Sequence, residues 1–353
     1  MKSLFINPGG IGDQILLLPT IKILKKYMPS LKVDLITEPR SKSIEELTPL
    51  FRSVKSFDFK SPKAKLSQLI SLMNRHKYKH VFITGSSFKA NALALFSQAK
   101  EKIGFRNSIL SPYLLTKSVK LNQNQYASNM FSDLLIPLIP NLTELINGRD
   151  LIPTLHLEED AINFAKEVIV PRVQDKYYAK KIVIHPGSSK LSTKKNILKG
   201  WSPKKWASLI EKLIESEDQI VILVGGKEDK EIIDEIEKNV MIFAKPKNFF
   251  DLTTLNLKLD QLAAIISYSD LLVCVDSAPM HVGIGLGKKL VAFFGPTNPK
   301  KLIPQDSRFK AVYNAELECR PCLFDKRKES CAKPVCLDVS VDEMLKAINE
   351  QLN

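Results

Sequence analysis

Short apolar runs alternate along the chain with longer stretches whose apolar positions recur at helical spacing. This is the pattern of a parallel sheet covered by crossover helices. In the first half SLFIN (3–7), KVDLIT (32–37), VKSFDF (54–59), HVFITG (80–85) and EKIGF (101–105) read as strands. Ile15–Tyr27, Leu66–Arg75 and Ala90–Ser97 read as the helices between them. The stretch 138–180 interrupts the alternation, with IPNLTELINGRD, Pro153 and the charged PRVQDKYYAKK, and predicts a domain boundary near residue 172. The alternation then resumes with KIVIHPG (181–187), QIVILVGG (219–226), VMIFAK (240–245), LLVCVDS (271–277) and KLVAFFGP (289–296) as strands. Helices are expected from Pro203 to Glu215, from Lys230 and over Leu259–Ser267, with SVDEMLKAINEQL (340–352) as a closing amphipathic helix. Ser202 before Pro203 is a good helix start, because serine caps free amides and proline at the first position loses no needed donor. The expected architecture is α/β, with two Rossmann-like doubly wound domains, residues 1–172 and 173–353.

A length of 353 residues is long for one core and comfortable for two. With 44% hydrophobic and 25% charged residues the chain has the composition of a folded globular protein. Its net charge of +14 favours an anionic partner. No arginine-rich arm, helix-turn-helix signature or aromatic ribonucleoprotein motif points to nucleic acid. The apolar stretch at the amino terminus is broken by Pro8, Gly9, Gly10, Gly12 and Asp13, and no run approaches a spanning helix. The expected location is therefore cytoplasmic, without an integral anchor.

Ligands of doubly wound sheets sit beyond the carboxyl ends of the strands, and the chemically unusual residues fall at those ends. FINPGGIGD places Gly9, Gly10 and Gly12 in the turn after the first strand, either to let backbone amides approach an anion or simply to pack. Asp13 is a favourable partner for a helix dipole, or a base for a substrate hydroxyl. VIHPGSSK offers Gly187, Ser188 and Ser189 as phosphate donors, with His185 read as a hydrogen-bonded turn histidine. Lys199 suits a phosphate, although any one lysine of so basic a chain is also a surface candidate. Glu228 and Asp229 follow Gly225–Gly226, facing ribose hydroxyls or marking a helix start. In DSAPMH, Asp276 ends an apolar strand as a ligand contact or a helix cap, and the amides around Ser277–His281 open a helix. There His281 serves as a donor able to neutralise a diphosphate.

Together GGIGD (9–13), HPGSS (185–189), KGWSPKKW (199–206), VGGKED (224–229), DSAPMH (276–281) and FFGPTNP (293–299) resemble glycosyltransferase family 9, the bacterial heptosyltransferases of the lipopolysaccharide inner core. The resemblance implies a GT-B fold: two facing Rossmann-like domains about a central cleft, the acceptor on the first and ADP-heptose mainly on the second. It implies an inverting transfer with Asp13 as general base. Ser188, Ser189, Lys199 and His281 match the diphosphate contacts, Glu228 the ribose contact and Asp276 a contact to the donor sugar. The family usually has glycine where this chain has Ala278; a positive φ there would cost alanine about 1 kcal/mol. The implied partners are ADP-heptose, an anionic lipopolysaccharide-core acceptor and the cytoplasmic face of the inner membrane. A protein acceptor, or a nucleotide-sugar-binding protein without activity, are the competing readings.

Four cysteines lie together, Cys319 and Cys322 in CRPC, then Cys331 and Cys336. They read as a structural zinc or iron site, as reduced thiols or as a disulfide, the last disfavoured in a cytosol. Transfer itself calls for no cofactor. Cys274, inside an apolar run, reads as core.

Overall fold

The strands form where the sequence supplies continuous β-branched and aromatic runs, and they assemble into two separate sheets. The structure is a computed structural model that describes residues 1–106, 110–173, 176, 178–187, 199–240, 247–323, 331 and 334–353. The chain divides into two compact units, Met1–His156 and Leu157–Asn353.

In the first unit β1 (Lys2–Asn7), β2 (Lys32–Thr37), β3 (Ser53–Ser56), β4 (His80–Ile83), β5 (Glu101–Arg106) and β6 (Lys117–Lys120) are all parallel, in the order β3-β2-β1-β4-β5-β6. Phe5 of β1 sits in register with Leu35 of β2 and Phe82 of β4, and the two phenyl rings stack at 4.2 Å. Helix α1 (Ile11–Tyr27) begins at Gly10 and ends with Lys25 and Lys26, whose charges suit its carboxyl terminus. Helix α2 (Leu66–Met73) buries Leu69 and Met73 in a core with Leu4, Ile6, Ile36, Val81 and Ile83. Each such side chain stabilises the fold by about 2 kcal/mol.

The second unit repeats the winding. Strands β7 (Lys180–His185), β8 (Gln219–Leu223), β9 (Phe249–Asp251), β10 (Leu271–Val275), β11 (Lys289–Phe293) and β12 (Phe309–Val312) run parallel in the order β12-β11-β10-β7-β8-β9. Read outward from β7, this is the same order as in the first unit. In each sheet the winding reverses next to its first strand, between β1 and β4 and between β7 and β10. Those are the switch points where such sheets bind ligands. Cys274 pairs with His185 and Ala292 across this sheet and is fully buried, as its apolar surroundings predict.

Three short strands lie outside the sequence expectation: β6, β9 and β12. All three are sheet edges, and KSVK, FFD and FKAV lack the long apolar run of a strand covered on both faces. The expected boundary near 172 moves to His156/Leu157. The reason is helix α3 (Glu159–Val173), which buries Ala161, Ala165, Ile169 and Val173 four residues apart and packs on α6 (Leu259–Ser267) of the second unit. The helix expected over Ala90–Ser97 is instead a helix at Phe88–Ala92 followed by a 3-10 turn at Leu93–Phe96. Most of the expected strand VMIFAK lies outside the described residues.

Helices α4 (Pro203–Ile214), α5 (Lys230–Asn239), α7 (Ala278–Gly285) and α8 (Val341–Leu352) complete the description. Pro203 opens α4 as expected, whereas the Ser202 side chain makes no capping bond. At α8 the capping box is complete: Ser340 Oγ accepts from the Glu343 amide at 3.2 Å, and Glu343 accepts from the Ser340 amide at 2.7 Å.

Candidate functional site

The turn after β1 is built around Asp13, the third residue of α1. Its Oδ2 accepts the Gly10 amide at 2.8 Å, while the side chain remains exposed. A Cβ on Gly9 would stand 2.5 Å from Asp13, so this glycine is required by the carboxylate it touches. Gly10 is the helix cap and Gly12 falls in the first turn of α1. Three polar side chains, none assigned a role from sequence, fix the turn. Asn7 Oδ1 accepts the Gly9 amide at 3.2 Å, Gln14 Nε2 donates to Asn7 O at 3.1 Å and Gly9 O at 3.0 Å, and Ser41 Oγ donates to Gly9 O at 3.0 Å. Beside Ser41, buried Glu38 accepts from Arg40 and Lys60, both at 2.7 Å, with the two cations about half exposed.

The second unit uses the same device after β8. Asp229 Oδ2 accepts the Gly226 amide at 2.9 Å, as Asp13 does for Gly10. Here, however, the aspartate is buried and lies 3.5 Å from His185 Nε2. A Cβ on Gly187 would stand 1.8 Å from Asp229 Oδ1, so Gly187 has a packing reason to be glycine. Burial pushes the His185 imidazole below its ordinary range, although Asp229 opposes the shift. Glu228, the expected ribose contact, is exposed in the turn Lys227–Asp229. Ser188 and Ser189 lie outside the described residues.

The carboxyl end of β10 carries the densest cluster. Asp276 is buried, and its Oδ2 accepts Lys199 Nζ at 2.7 Å and Thr297 Oγ1 at 2.6 Å. Burial alone would raise this carboxyl; the Lys199 ammonium, the two hydrogen bonds and the facing His281 more than offset it, and Asp276 sits below the usual carboxylate range. Asp276 makes no cap to α7. Its neighbour Ser277 is the cap residue, and Ser277 Oγ bonds to Val275 O at 3.3 Å. Ala278 is the first residue of α7, and Asn256 is the only non-glycine with positive φ among the described residues. The strain anticipated for alanine at 278 is therefore absent.

His281 is buried, and burial brings its pKa down to about 4, with Asp276 opposing and Lys199 adding to the shift. Its Nδ1 makes no hydrogen bond to any described residue. At neutral pH it is a neutral imidazole, not the cation that a charge-neutralising role requires. Lys199 is set by the residues that follow it: Trp201 and Trp206 pack edge to face at 5.1 Å, and Trp201 Nε1 donates to Val339 O at 3.0 Å. The motif KGWSPKKW is thus an anchor whose two indoles are core and whose lysine reaches Asp276.

The cysteine segment attaches to this cluster from behind. Arg320 stacks on Tyr313 at 4.4 Å and donates to the carbonyls of Gly295 at 2.5 Å, Asn314 at 3.1 Å and Thr297 at 2.9 Å, while the Cys322 amide bonds to Pro296 O at 3.1 Å. Arg320 and Thr297 are functional candidates that sequence reading passed over. The threonine of FFGPTNP and the arginine of CRPC have no distinctive local pattern, and they gain their partners only in the fold. No group of three or more His, Cys, Asp or Glu side chains among the described residues is arranged to hold a metal ion. Cys319, Cys322, Cys331 and Cys336 are in no disulfide, and the Arg320 cation lies close enough to Cys319, Cys322 and Cys336 to interact with them.

The profile of glycosyltransferase family 9 (heptosyltransferase) matches residues 66–333. The chain belongs to glycosyltransferase family 9. Lipooligosaccharide heptosyltransferase 2 of Haemophilus ducreyi is 24% identical over 361 residues, covering 100% of this chain and 99% of its own. Among solved structures, E. coli ADP-heptose lps heptosyltransferase II has a TM-score of 0.77 at 20% identity, covering 100% of this chain and 98% of its own. A family 9 glycosyl transferase from Veillonella parvula has a TM-score of 0.79 at 21% identity, covering 99% of this chain and 97% of its own. These likenesses give the fold as the GT-B type of this family. The chain is a glycosyltransferase, and the cluster at the switch point of each unit is a candidate site of a family 9 enzyme.

Proposed function

We propose that the chain transfers heptose from ADP-heptose to an inner-core lipopolysaccharide acceptor with inversion, Asp13 acting as general base. One contrast carries this reading. Asp13 and Asp229 hold equivalent positions in equivalent turns, yet Asp229 is buried against His185 whereas Asp13 keeps its carboxylate exposed at a ligand-binding edge. We read the exposed carboxylate as the one that meets an acceptor hydroxyl and the buried one as structural.

In this reading Asp13 accepts the proton of an acceptor hydroxyl. The oxygen attacks the anomeric carbon from the face opposite the diphosphate, the new C–O bond forms, and ADP leaves with the electron pair. Lys199 and Asp276 nearly cancel, so the leaving diphosphate is stabilised chiefly by the Ala278 amide at the start of α7 and by His281, which the arriving anion makes easier to protonate. Asp276 is then free to take a sugar hydroxyl on its other oxygen. Arg40 and Lys60, held by Glu38 near the Gly9 turn, suit an anionic acceptor. The donor assignment draws on the names of the relatives, and the step is balanced without a cofactor. We place the work at the cytoplasmic face of the inner membrane, where such an acceptor is carried.

The test is Asp13→Asn. Turnover should fall roughly 100-fold or more, with ADP-heptose affinity by calorimetry unchanged. Retained turnover would remove Asp13 as the base, and preference for a UDP- or GDP-sugar would remove the donor assignment.

A further inference from the structure

Five of the thirteen large apolar side chains exposed among the described residues fall between residues 88 and 113: Phe88 (48% exposed), Leu95 (58%), Phe96 (39%), Leu110 (52%) and Tyr113 (80%). The first three lie on the short helix and 3-10 turn that follow β4. Leu110 and Tyr113 lie at the helix Ser111–Leu114 after β5. The helices Phe88–Ala92 and Ser111–Leu114 pack on each other, so the apolar groups belong to one region of the surface. Single exposed apolar residues need no explanation, but a concentration of aromatic and leucine side chains marks a contact surface.

The charges around it choose the partner. Residues 86–120 contain Lys89, Lys100, Lys102, Arg106, Lys117 and Lys120 against one acid, Glu101, which is itself paired with Lys117 at 3.0 Å. A second copy of the chain would bring like charge against like charge. An anionic bilayer offers what both features require: acyl chains for the apolar side chains, an interface suited to Tyr113, and negative headgroups for the basic rim.

We propose that this surface docks the first unit onto an anionic lipid bilayer. Strands β4 and β5 follow β1 in the sheet order. The segments that begin with Phe88 and Leu110 leave the carboxyl ends of β4 and β5, and the Gly9–Asp13 turn leaves the carboxyl end of β1, so these starting points share one sheet edge, while Phe96, whose carbonyl accepts Asn74 Nδ2 at 2.8 Å, lies towards the amino ends. A lipid-carried acceptor would then be presented to the edge that bears the base. The purpose of the docking rests on the transferase reading, but its measurement does not, because it is made without donor or acceptor.

The full-length protein is sedimented with vesicles of mixed phosphatidylglycerol and phosphatidylcholine, and with vesicles of phosphatidylcholine alone. We expect binding to the mixed vesicles, weakened by high salt. Phe88→Ser/Tyr113→Ser should bind at least about tenfold more weakly, since two membrane-facing aromatics are lost. The control Leu145→Ser/Val170→Ser, which changes exposed apolar residues elsewhere, should bind as the parent does. All of these side chains are exposed, so the variants should keep the parent's melting temperature. Equal binding by the Phe88/Tyr113 variant, equal binding to both vesicle types, or a lipid-free oligomer that this variant dissolves would overturn the proposal, the last assigning the surface to self-association.

Discussion

Lys199 and Asp276, 77 residues apart in sequence, form an ion pair of 2.7 Å whose carboxylate is 4% exposed. The pair joins the Trp201 anchor to the end of β10, and Thr297 from the loop after β11 completes it. Replacing Asp276 by Asn removes the anionic partner of a largely buried ammonium. The expected loss is roughly 3 kcal/mol, read as a lower urea midpoint with unchanged slope. An unchanged midpoint would show that water already compensates Lys199.

Acid should weaken the fold before the carboxylates titrate. His281 binds its proton near pH 4 in the folded chain and near 6.5 when unfolded. Between those values the unfolded chain holds more protons. The stability is therefore full above about pH 6.5 and is lost as pH falls towards 4, by on the order of 3 kcal/mol from this residue. His185, also held low by burial, adds in the same direction. Asp276, with its pKa depressed, contributes stability that disappears only at still lower pH. Urea midpoints measured from pH 7 to pH 4 should fall more steeply for the parent than for His281→Gln. Parallel curves would contradict the burial argument.

Gly187→Ala probes the packing role of that glycine. The added Cβ meets Asp229 at 1.8 Å, so Asp229 or the turn must move, at about 1–3 kcal/mol. The melting temperature should drop in Gly187→Ala and hardly change in Gly148→Ala, where nothing lies within 4 Å of the new atom. Equal effects would mean that the two turns relax alike.

Arg320 should control the loop that carries Thr297 without touching the chemistry. Arg320→Lys keeps the charge but loses the fork that spans the carbonyls of Gly295, Thr297 and Asn314. Thr297 then loosens its hold on Asp276, and we expect donor KM to rise several-fold with kcat little altered. A fall in kcat at constant KM would place Arg320 elsewhere in the reaction.

The cysteines give a separate measurement. Plasma mass spectrometry of the purified protein should find zinc and iron well below one per chain, because the described thiols form no ligand set. Stoichiometric metal, lost on Cys319→Ser/Cys322→Ser, would restore the metal reading of CRPC.

Local sequence was sufficient for the buried strands and for the glycine turns, because a strand covered on both faces needs an unbroken apolar run and a tight turn needs glycine within a few residues. It was also sufficient to nominate Asp13, Lys199, Asp276 and His281, since unusual polar residues at strand ends stand out against apolar neighbours. The edge strands β6, β9 and β12 were not legible, because a half-solvated strand has no distinctive composition. Nor was helix α3, whose four buried small and aliphatic residues gain their meaning only against α6. The roles within the site were decided in three dimensions. Nothing local to Asp229 or Asp13 says which is buried, nothing local to His281 says that burial keeps it neutral, and nothing in CRPC says that its arginine holds the loop behind Asp276. Charge state and hydrogen-bond partnership depend on which distant groups share a dry volume, and only the folded chain brings those groups together.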